Sequence, residues 1–161
     1  MDEVVGAESG ARHACQSTKL LIVTRIGWIL HALHPTAGQP YSILITDDDP
    51  VARETLREIV APEGYRTLMA ESGEEALDLV RDHEVHLALM DMHLPRLSGL
   101  ETLALVRQIK GGIPAILITA DQDDNLMRRA LSERAFCVLA KPVSKHVVIY
   151  VVHKALEKYY N

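Results

Sequence analysis

The sequence predicts an α/β domain built on a doubly wound parallel sheet, and three features support that prediction. Beyond residue 40, five apolar runs of strand length recur along the chain. Stretches with helical periodicity separate these runs, and strands that alternate with helices form parallel sheets. Three of the runs are almost continuously apolar, as central parallel strands are because helices cover both faces of the sheet. We therefore expect five strands and five helices in one domain.

The predicted elements follow one another in a regular order. The strands are expected at residues 43–46, 66–70, 86–90, 115–119 and 136–140. The helices are expected at residues 50–60, from 72 to about 80, 98–110, 122–133 and 144–159. Asp49 is expected to cap the first helix and Ser72 the second, and the pair Gly111 and Gly112 is expected to end the third.

The residues before this domain form a separate segment. Pro35 and Pro40 delimit a short polar stretch with the composition of a linker. We therefore predict an N-terminal extension at residues 1–40 and the folded domain at residues 41–161. The extension contains a polar tail and an apolar segment at residues 20–33, which is either a docking element or an extended start to the reading frame. A membrane span needs about 20 apolar residues, so this segment predicts no span.

Charge and cysteine content limit the function. The formal net charge is −5, and residues 1–40 carry equal numbers of acidic and basic residues, so the acidic excess lies in the folded domain. A nucleic-acid-binding domain needs a basic face, so we predict no direct binding of nucleic acid. Cys15 and Cys137 do not have the spacing of metal ligands, and the N-terminus lacks the basic start of a secretory signal. We therefore expect a cytoplasmic protein with reduced thiols.

Polar residues stand where the predicted strands end. Asp47 and Asp48 follow the first strand, Asp91 follows the third, Thr119 ends the fourth and Lys141 follows the fifth. Ligands of open parallel sheets bind beyond these carboxyl ends. Three neighbouring carboxylates repel one another unless a cation joins them, and Mg²⁺ prefers such oxygen ligands. An aspartate beside a metal and a lysine can act as the nucleophile that accepts a phosphoryl group.

The segments that carry these residues resemble those of response-regulator receiver domains. The segments are residues 43–50, 89–99, 114–120 and 140–142, and Pro95 and Gly99 follow Asp91 at the family's spacing. The resemblance implies a flavodoxin-like (β/α)5 fold with strand order 2-1-3-4-5. It also implies a phosphoryl-accepting switch of a two-component phosphorelay, served by a histidine kinase or a histidine phosphotransfer protein. Such a protein catalyses only its own phosphorylation and slow dephosphorylation.

The resemblance also implies a role for each site residue. Asp91 would be the phosphoacceptor and would also be one of the residues that hold Mg²⁺. Asp48 would be a direct ligand of Mg²⁺, and Asp47 would hold the ion through water or as an outer partner. The backbone carbonyl of His93 would complete the protein's share of the metal shell. Thr119 and Lys141 would bind the phosphoryl group, and Thr119 would move toward it.

The sequence departs from the family at the position of the switch aromatic. Val138 stands there, three residues before Lys141. Phe136 lies two residues earlier, and strand alternation predicts that it shares the face of Val138. His93 and Asp121 occupy the variable positions that tune the lifetime of the phosphoryl group in the family. The sequence does not give the direction of their effect.

Three questions stay open at this stage. The last predicted helix has six consecutive apolar residues, so neighbours cover its outer side or the 122–159 face meets a partner, for example a second copy of the chain. The length after residue 142 favours a stand-alone receiver over a fragment of a longer regulator. Alternative functions are an interaction module that works without phosphorylation, and a haloacid-dehalogenase-type phosphatase with Asp47 as its nucleophile.

Overall fold

The computed structural model describes residues 40–121 and 123–161 of the chain. The predicted extension therefore lies outside the described residues, apart from Pro40. The strands are β1 (Ser42–Thr46), β2 (Arg66–Ala70), β3 (Leu87–Asp91), β4 (Ala115–Thr119) and β5 (Cys137–Ala140). The helices are α1 (Pro50–Val60), α2 (Gly73–Asp82), α3 (Gly99–Ile109), α4 (Asp124–Ser132) and α5 (Lys145–Tyr160), with a short 3₁₀ helix at Ala61–Glu63.

The five strands form one parallel sheet in the order β2-β1-β3-β4-β5. Both the parallel arrangement and the predicted strand order are confirmed. The direction of winding reverses between β1 and β3, so the carboxyl ends of these two strands border the crevice where ligands bind in such folds. Asp91 pairs in register with Ile118, which places Thr119 one residue beyond it on the neighbouring strand.

Local sequence explains where the helices begin. The Asp49 carboxylate accepts a hydrogen bond from the Val51 N–H at 2.9 Å, so the predicted cap of α1 is confirmed. The Ser72 hydroxyl accepts from the Glu75 N–H in the same way at the start of α2. Ser98 and Glu101 form a reciprocal capping box at the start of α3. These caps satisfy N–H groups that have no partner within the helix.

Apolar side chains fill both faces of the sheet. One layer packs beneath α2, α3 and α4 and includes Leu44 of β1. The other packs beneath α1 and α5 and includes Ile43 and Ile45 of the same strand. This alternation follows from the two-residue period of a strand and explains the continuous apolar runs in the sequence.

Helix α3 begins in close contact with the end of β3. A Cβ atom on Gly99 would lie 2.2 Å from the Asp91 backbone oxygen, so only glycine fits at this position. The Gly99 N–H donates to the Met92 carbonyl at 3.0 Å. The glycine that stands eight residues after Asp91 therefore lets α3 support the strand end that carries Asp91.

The structure corrects the predicted position of Phe136. Val138 packs against the layer under α2, α3 and α4, whereas Phe136 packs against the layer under α1 and α5. Strand β5 begins only at Cys137, so Phe136 lies before it and does not follow its alternation. The Phe136 ring instead contacts Tyr159, with ring centroids 6.4 Å apart.

The last helix leaves part of its apolar surface exposed. Val148 and Val152 are buried, but Val147 is 44% exposed and Tyr150 is 63% exposed. The apolar run is therefore only partly covered by the domain itself. Within residues 40–121 and 123–161, every helix is too short or too polar to cross a lipid bilayer.

Candidate functional site

Three aspartates meet at the carboxyl end of the sheet. Asp47 follows β1, Asp91 is the last residue of β3, and Asp48 adjoins them. One carboxylate oxygen from each lies within 4.8 Å of the others. Asp47 and Asp91 are buried, whereas Asp48 is exposed. The predicted clustering of these residues is therefore present, with one carboxylate open to solvent.

Lys141 joins the two buried carboxylates. Its Nζ donates to Asp47 Oδ2 at 3.0 Å and to Asp91 Oδ2 at 2.5 Å. The lysine follows β5, and its peptide bond to Pro142 is cis. Its N–H donates to the Thr119 carbonyl at 2.7 Å, which holds the backbone of Lys141 against the end of β4. The ends of β4 and β5 therefore fix the backbone that carries the Lys141 ammonium.

Backbone N–H groups hold the remaining oxygens of the two buried carboxylates. The Asp49 N–H donates to Asp47 Oδ1 and the His93 N–H donates to Asp91 Oδ1, both at 3.0 Å. Each bond spans two residues, so each aspartate orders the loop that follows it. An ionised carboxylate offers about four lone-pair positions, so these contacts leave acceptor capacity for a further ligand.

Burial governs the electrostatics of the site. Burial raises the pKa of Asp47, the bonds from Lys141 and from the Asp49 N–H lower it, the Asp91 charge raises it, and the net direction is upward. Burial lowers the pKa of Lys141, but its bonds to Asp91 and Asp47 outweigh that effect and raise it overall. The ammonium therefore stays charged, while the Asp47 negative charge is only partly compensated.

These donors suit a magnesium ion. The clustered ligand atoms are all carboxylate oxygens, and Mg²⁺ is a hard cation that prefers oxygen. A divalent cation would also offset the cost of the buried Asp47 charge. Asp48 is exposed, so an ion could reach this cluster from solvent. The residues present fit the ion that the sequence predicts.

A second set of contacts lies across the loops above the aspartates. Thr119 is buried, and its hydroxyl oxygen accepts a hydrogen bond from the Asp121 N–H at 3.0 Å. His93 Nε2 lies 3.1 Å from Asp121 Oδ2, and both side chains are more than half exposed. The pair connects the loop after β3 with the loop after β4. The sequence predicted both residues separately but not their contact.

Arg53 is a neighbour of the site that the sequence analysis missed. It lies one turn into α1, and its Nη1 donates to the Asp47 backbone oxygen at 2.6 Å. The sequence gives only a weak signal for this contact, an arginine six residues after Asp47. A groove of about 470 Å³ also adjoins the site. Its lining includes Ala52, Thr55, Leu56, Ile118, Pro142 and Val143, together with Asp47 and Lys141.

Comparison with known proteins identifies the family. A family model of the response regulator receiver domain matches residues 43–153. Response regulator RR06 of Streptococcus pneumoniae is 31% identical over 119 residues, which cover 74% of this chain and 54% of RR06. The polar-differentiation response regulator DivK of Brucella ovis is 34% identical over 108 residues, covering 64% of this chain and 85% of DivK. The chain belongs to the response-regulator receiver family.

Solved structures agree with this assignment. A CheY-like receiver domain protein from Methanospirillum hungatei aligns with a TM-score of 0.72 at 26% identity, covering 74% of this chain and 96% of that one. The signal receiver domain of an HD domain-containing protein from Pseudomonas fluorescens also gives 0.72, at 29% identity, covering 75% and 98%.

Family membership defines the class of function. Receiver domains of two-component systems are signalling switches rather than enzymes, and they interact with kinases or phosphotransfer proteins and with downstream targets. The chain spans about half of RR06 and 27% of the transcriptional regulatory protein GlrR of Escherichia coli. The activity of those longer proteins therefore does not transfer to this chain by similarity alone.

Proposed function

We propose that this chain is a phosphoryl-accepting switch of a two-component phosphorelay, with Asp91 as the acceptor. The observation that carries the proposal is the bridge from Lys141 to Asp91 and Asp47 beside the open carboxylate of Asp48. A buried aspartate held by an ammonium on one oxygen and a backbone N–H on the other has a fixed orientation. Fixed orientation of the attacking group lowers the entropic part of the barrier to transfer.

The proposed reaction transfers one phosphoryl group to Asp91. A carboxylate oxygen forms a bond to phosphorus, and the bond from phosphorus to the donor's imidazole nitrogen breaks. The nitrogen keeps the electron pair and takes up a proton, which leaves the donor histidine as a neutral imidazole. Water later attacks the phosphorus, releasing inorganic phosphate and restoring the carboxylate. The donor would be a histidine kinase or a histidine phosphotransfer protein.

Each neighbouring group has a part in this proposal. Asp48, Asp47, Asp91 and the His93 carbonyl would hold Mg²⁺, which supplies positive charge to the phosphoryl oxygens when it is bound. The Lys141 ammonium can donate to a phosphoryl oxygen once the Asp91 charge is used in the new bond. The Thr119 hydroxyl can donate in the same way, because its bond with the Asp121 N–H uses the oxygen as acceptor and does not use the proton.

His93 and Asp121 are proposed to control hydrolysis. Their side chains meet at 3.1 Å between the two loops beside Asp91. These loops follow the strand ends that carry Asp91 and Thr119, so the two side chains can influence how water approaches a phosphoryl group on Asp91. The contact supports an effect on the lifetime of the phosphoryl group.

The domain limits, the location and the partner surface are also proposals. The receiver unit is proposed to span residues 41–161, and the match to the family at residues 43–153 supports most of that range. A cytoplasmic location is proposed because the donor kinases of this family act there. The exposed Tyr150 and Val147 support a homodimer through the 122–159 face.

The test is the intact mass of the chain after incubation with acetyl phosphate and Mg²⁺. We expect a gain of about 80 Da, one phosphoryl group, on the native chain and on a surface control, Asp78→Asn. Asp91→Asn should show no gain in mass. EDTA should abolish the gain in the native chain and in Asp78→Asn. An adduct on Asp91→Asn would mean that another residue is the nucleophile. No adduct on any chain would favour the phosphorylation-independent module, and steady turnover of a phosphate ester would favour the phosphatase.

A further inference from the structure

Arg53 holds the turn that presents the acidic pair. Its guanidinium donates to the Asp47 backbone oxygen at 2.6 Å, and the backbone N–H of Arg53 donates to the Asp49 carbonyl at 3.0 Å. The side chain is half-buried. Asp47 also donates its N–H to the Ala70 carbonyl at 3.2 Å. Both backbone polar groups of Asp47 are therefore fixed, one by the sheet and one by α1.

The carbonyl that Arg53 binds belongs to the peptide unit between Asp47 and Asp48. Since a peptide unit is planar, fixing its oxygen also fixes the direction in which the chain enters Asp48. Asp48 lies beyond the last paired residue of β1, and it is exposed. Its backbone thus depends on the contacts of its neighbours. Arg53 supplies a contact that acts directly on the peptide leading into Asp48.

We propose that Arg53 is a positioning residue for the cation site, which fixes the peptide between Asp47 and Asp48 so that both carboxylates face Asp91. This inference rests on the proposed function, because it assumes that the three aspartates hold Mg²⁺. Arg53 itself touches neither the ion nor the phosphoryl group in this proposal. Its effect passes through the backbone of the two aspartates.

A positioning role and a purely electrostatic role predict opposite results. The Arg53 guanidinium bonds the backbone oxygen of Asp47, a residue of the cluster, so its positive charge alone opposes the binding of a divalent cation there. Removing that charge would tighten Mg²⁺ binding if nothing else changed. Removing the hydrogen bond loosens the ligand pair and weakens binding, because the ion must then order the turn itself. The direction of the change therefore separates the two roles.

The experiment is a Mg²⁺ titration of the full chain followed by backbone amide resonances. The amides of Asp49 and His93 are the reporters, since each donates to a carboxylate of the site. We expect Arg53→Met to weaken Mg²⁺ binding about tenfold, which corresponds to the loss of one charge-assisted hydrogen bond. Arg53→Lys, which keeps the charge and one donor, should recover part of the loss. Arg57→Met removes the same charge from the exposed side of α1 and should not weaken binding.

Thermal unfolding of each variant without Mg²⁺ separates positioning from folding. A lower midpoint for Arg53→Met with an unchanged dissociation constant would show a structural role only and overturn the inference. Equal or tighter binding by Arg53→Met would overturn it as well, while leaving the proposed function intact. If Arg53→Met does not fold, the Arg53→Lys variant decides the question. A geometric role would be contradicted if that variant bound Mg²⁺ as tightly as the native chain and gave the same amide shifts. If Mg²⁺ moves neither reporter in the native chain, both the proposed site and the inference fail.

Discussion

Lys141→Met should destabilise the domain in a way that depends on both cation and pH. The substitution keeps an unbranched side chain of similar length, so the packing of the stem is largely retained. It removes the ammonium that bonds Asp47 and Asp91. Two carboxylates that are nearly inaccessible to water then face each other without a positive partner.

The structure sets the size of the effect. The side chains of Asp47 and Asp91 are 1% and 7% exposed, whereas that of Lys141 is 29% exposed. Removing one partner of a buried ion pair costs about 3–5 kcal/mol. Because Lys141 is partly exposed, water can replace part of the stabilisation that its ammonium gives to the two carboxylates. We therefore expect a loss of about 2 kcal/mol in the free energy of unfolding.

The pH dependence follows from the direction of the Asp47 shift. Burial already raises the pKa of Asp47, and removing the Lys141 bond, which lowers it, raises it further. A carboxyl with a raised pKa in the folded state favours folding while it is protonated, and that advantage is lost as the pH rises through the folded pKa. The variant's deficit should therefore be largest near pH 7. It should shrink as the pH falls below the Asp47 pKa.

Urea unfolding of the full chain measures these differences. The titrations are made in EDTA at pH 7, in EDTA at acidic pH, and at pH 7 with Mg²⁺. A cation at ten times its dissociation constant stabilises the folded state by about 1.4 kcal/mol, and the gain should be larger in the variant, which lacks the competing ammonium. Lys154→Met is the matched control, because it removes an exposed lysine that pairs with Glu157 on the same helix, and it should not change stability.

Two results would refute this reasoning. Equal stability of Lys141→Met and the native chain in EDTA at pH 7 would mean that the two carboxylates do not need the ammonium. A deficit that stays the same at acidic pH and with Mg²⁺ would mean that lost packing, and not unpaired charge, causes it.

Three further predictions concern other parts of the domain. Arg134→Gly should stabilise the domain by about 1 kcal/mol in urea unfolding, because Arg134 has a left-handed φ of 53°, which glycine adopts without strain; Arg134→Ala should bring no such gain. Tyr150→Glu should weaken self-association of the phosphorylated chain in light scattering, and an unchanged mass would count against a dimer through this face. Burial raises the pKa of Cys137 to about 11, so its alkylation by iodoacetamide at pH 8, followed by peptide mass, should be slow in the folded chain, fast in urea, and faster as the pH rises.

Most of the fold was predictable because buried parallel strands leave a direct record in the sequence. The bounds of β2 and β4 agree with the predicted runs at residues 66–70 and 115–119. The other strands and most helix ends differ by one or two residues, where hydrogen bonds rather than apolar pattern decide the boundary. At β5 that difference mattered, because starting the strand at residue 136 put Phe136 on the wrong face.

The site was predictable as far as topology places residues. Parallel strands bring their carboxyl ends to one edge of the sheet. Asp91 is the last residue of its strand, and the other site residues that cluster with it directly follow strand ends, namely Asp47, Asp48 and Lys141. The clustering is confirmed, whereas the chemical roles stay predictions. The contact of His93 with Asp121 could not be predicted, since it depends on how two loops approach and on the rotamers of two exposed side chains.

Charge balance indicates how such a site could signal without the usual aromatic residue. Three carboxylates and one ammonium leave two negative charges, which a divalent cation balances. A phosphoryl group on Asp91 would bring about −1.5 to −2 in charge and would remove the −1 of the carboxylate, so the net change would be about −0.5 to −1. The position of the charge would also change, because it would move outward from the buried carboxylate toward the loops. Val138 offers no ring to follow a movement of Thr119, whereas Asp121 is bonded to that threonine and contacts His93. A readout through these two loops therefore needs no aromatic rotamer, and breaking the contact between His93 and Asp121 should alter it.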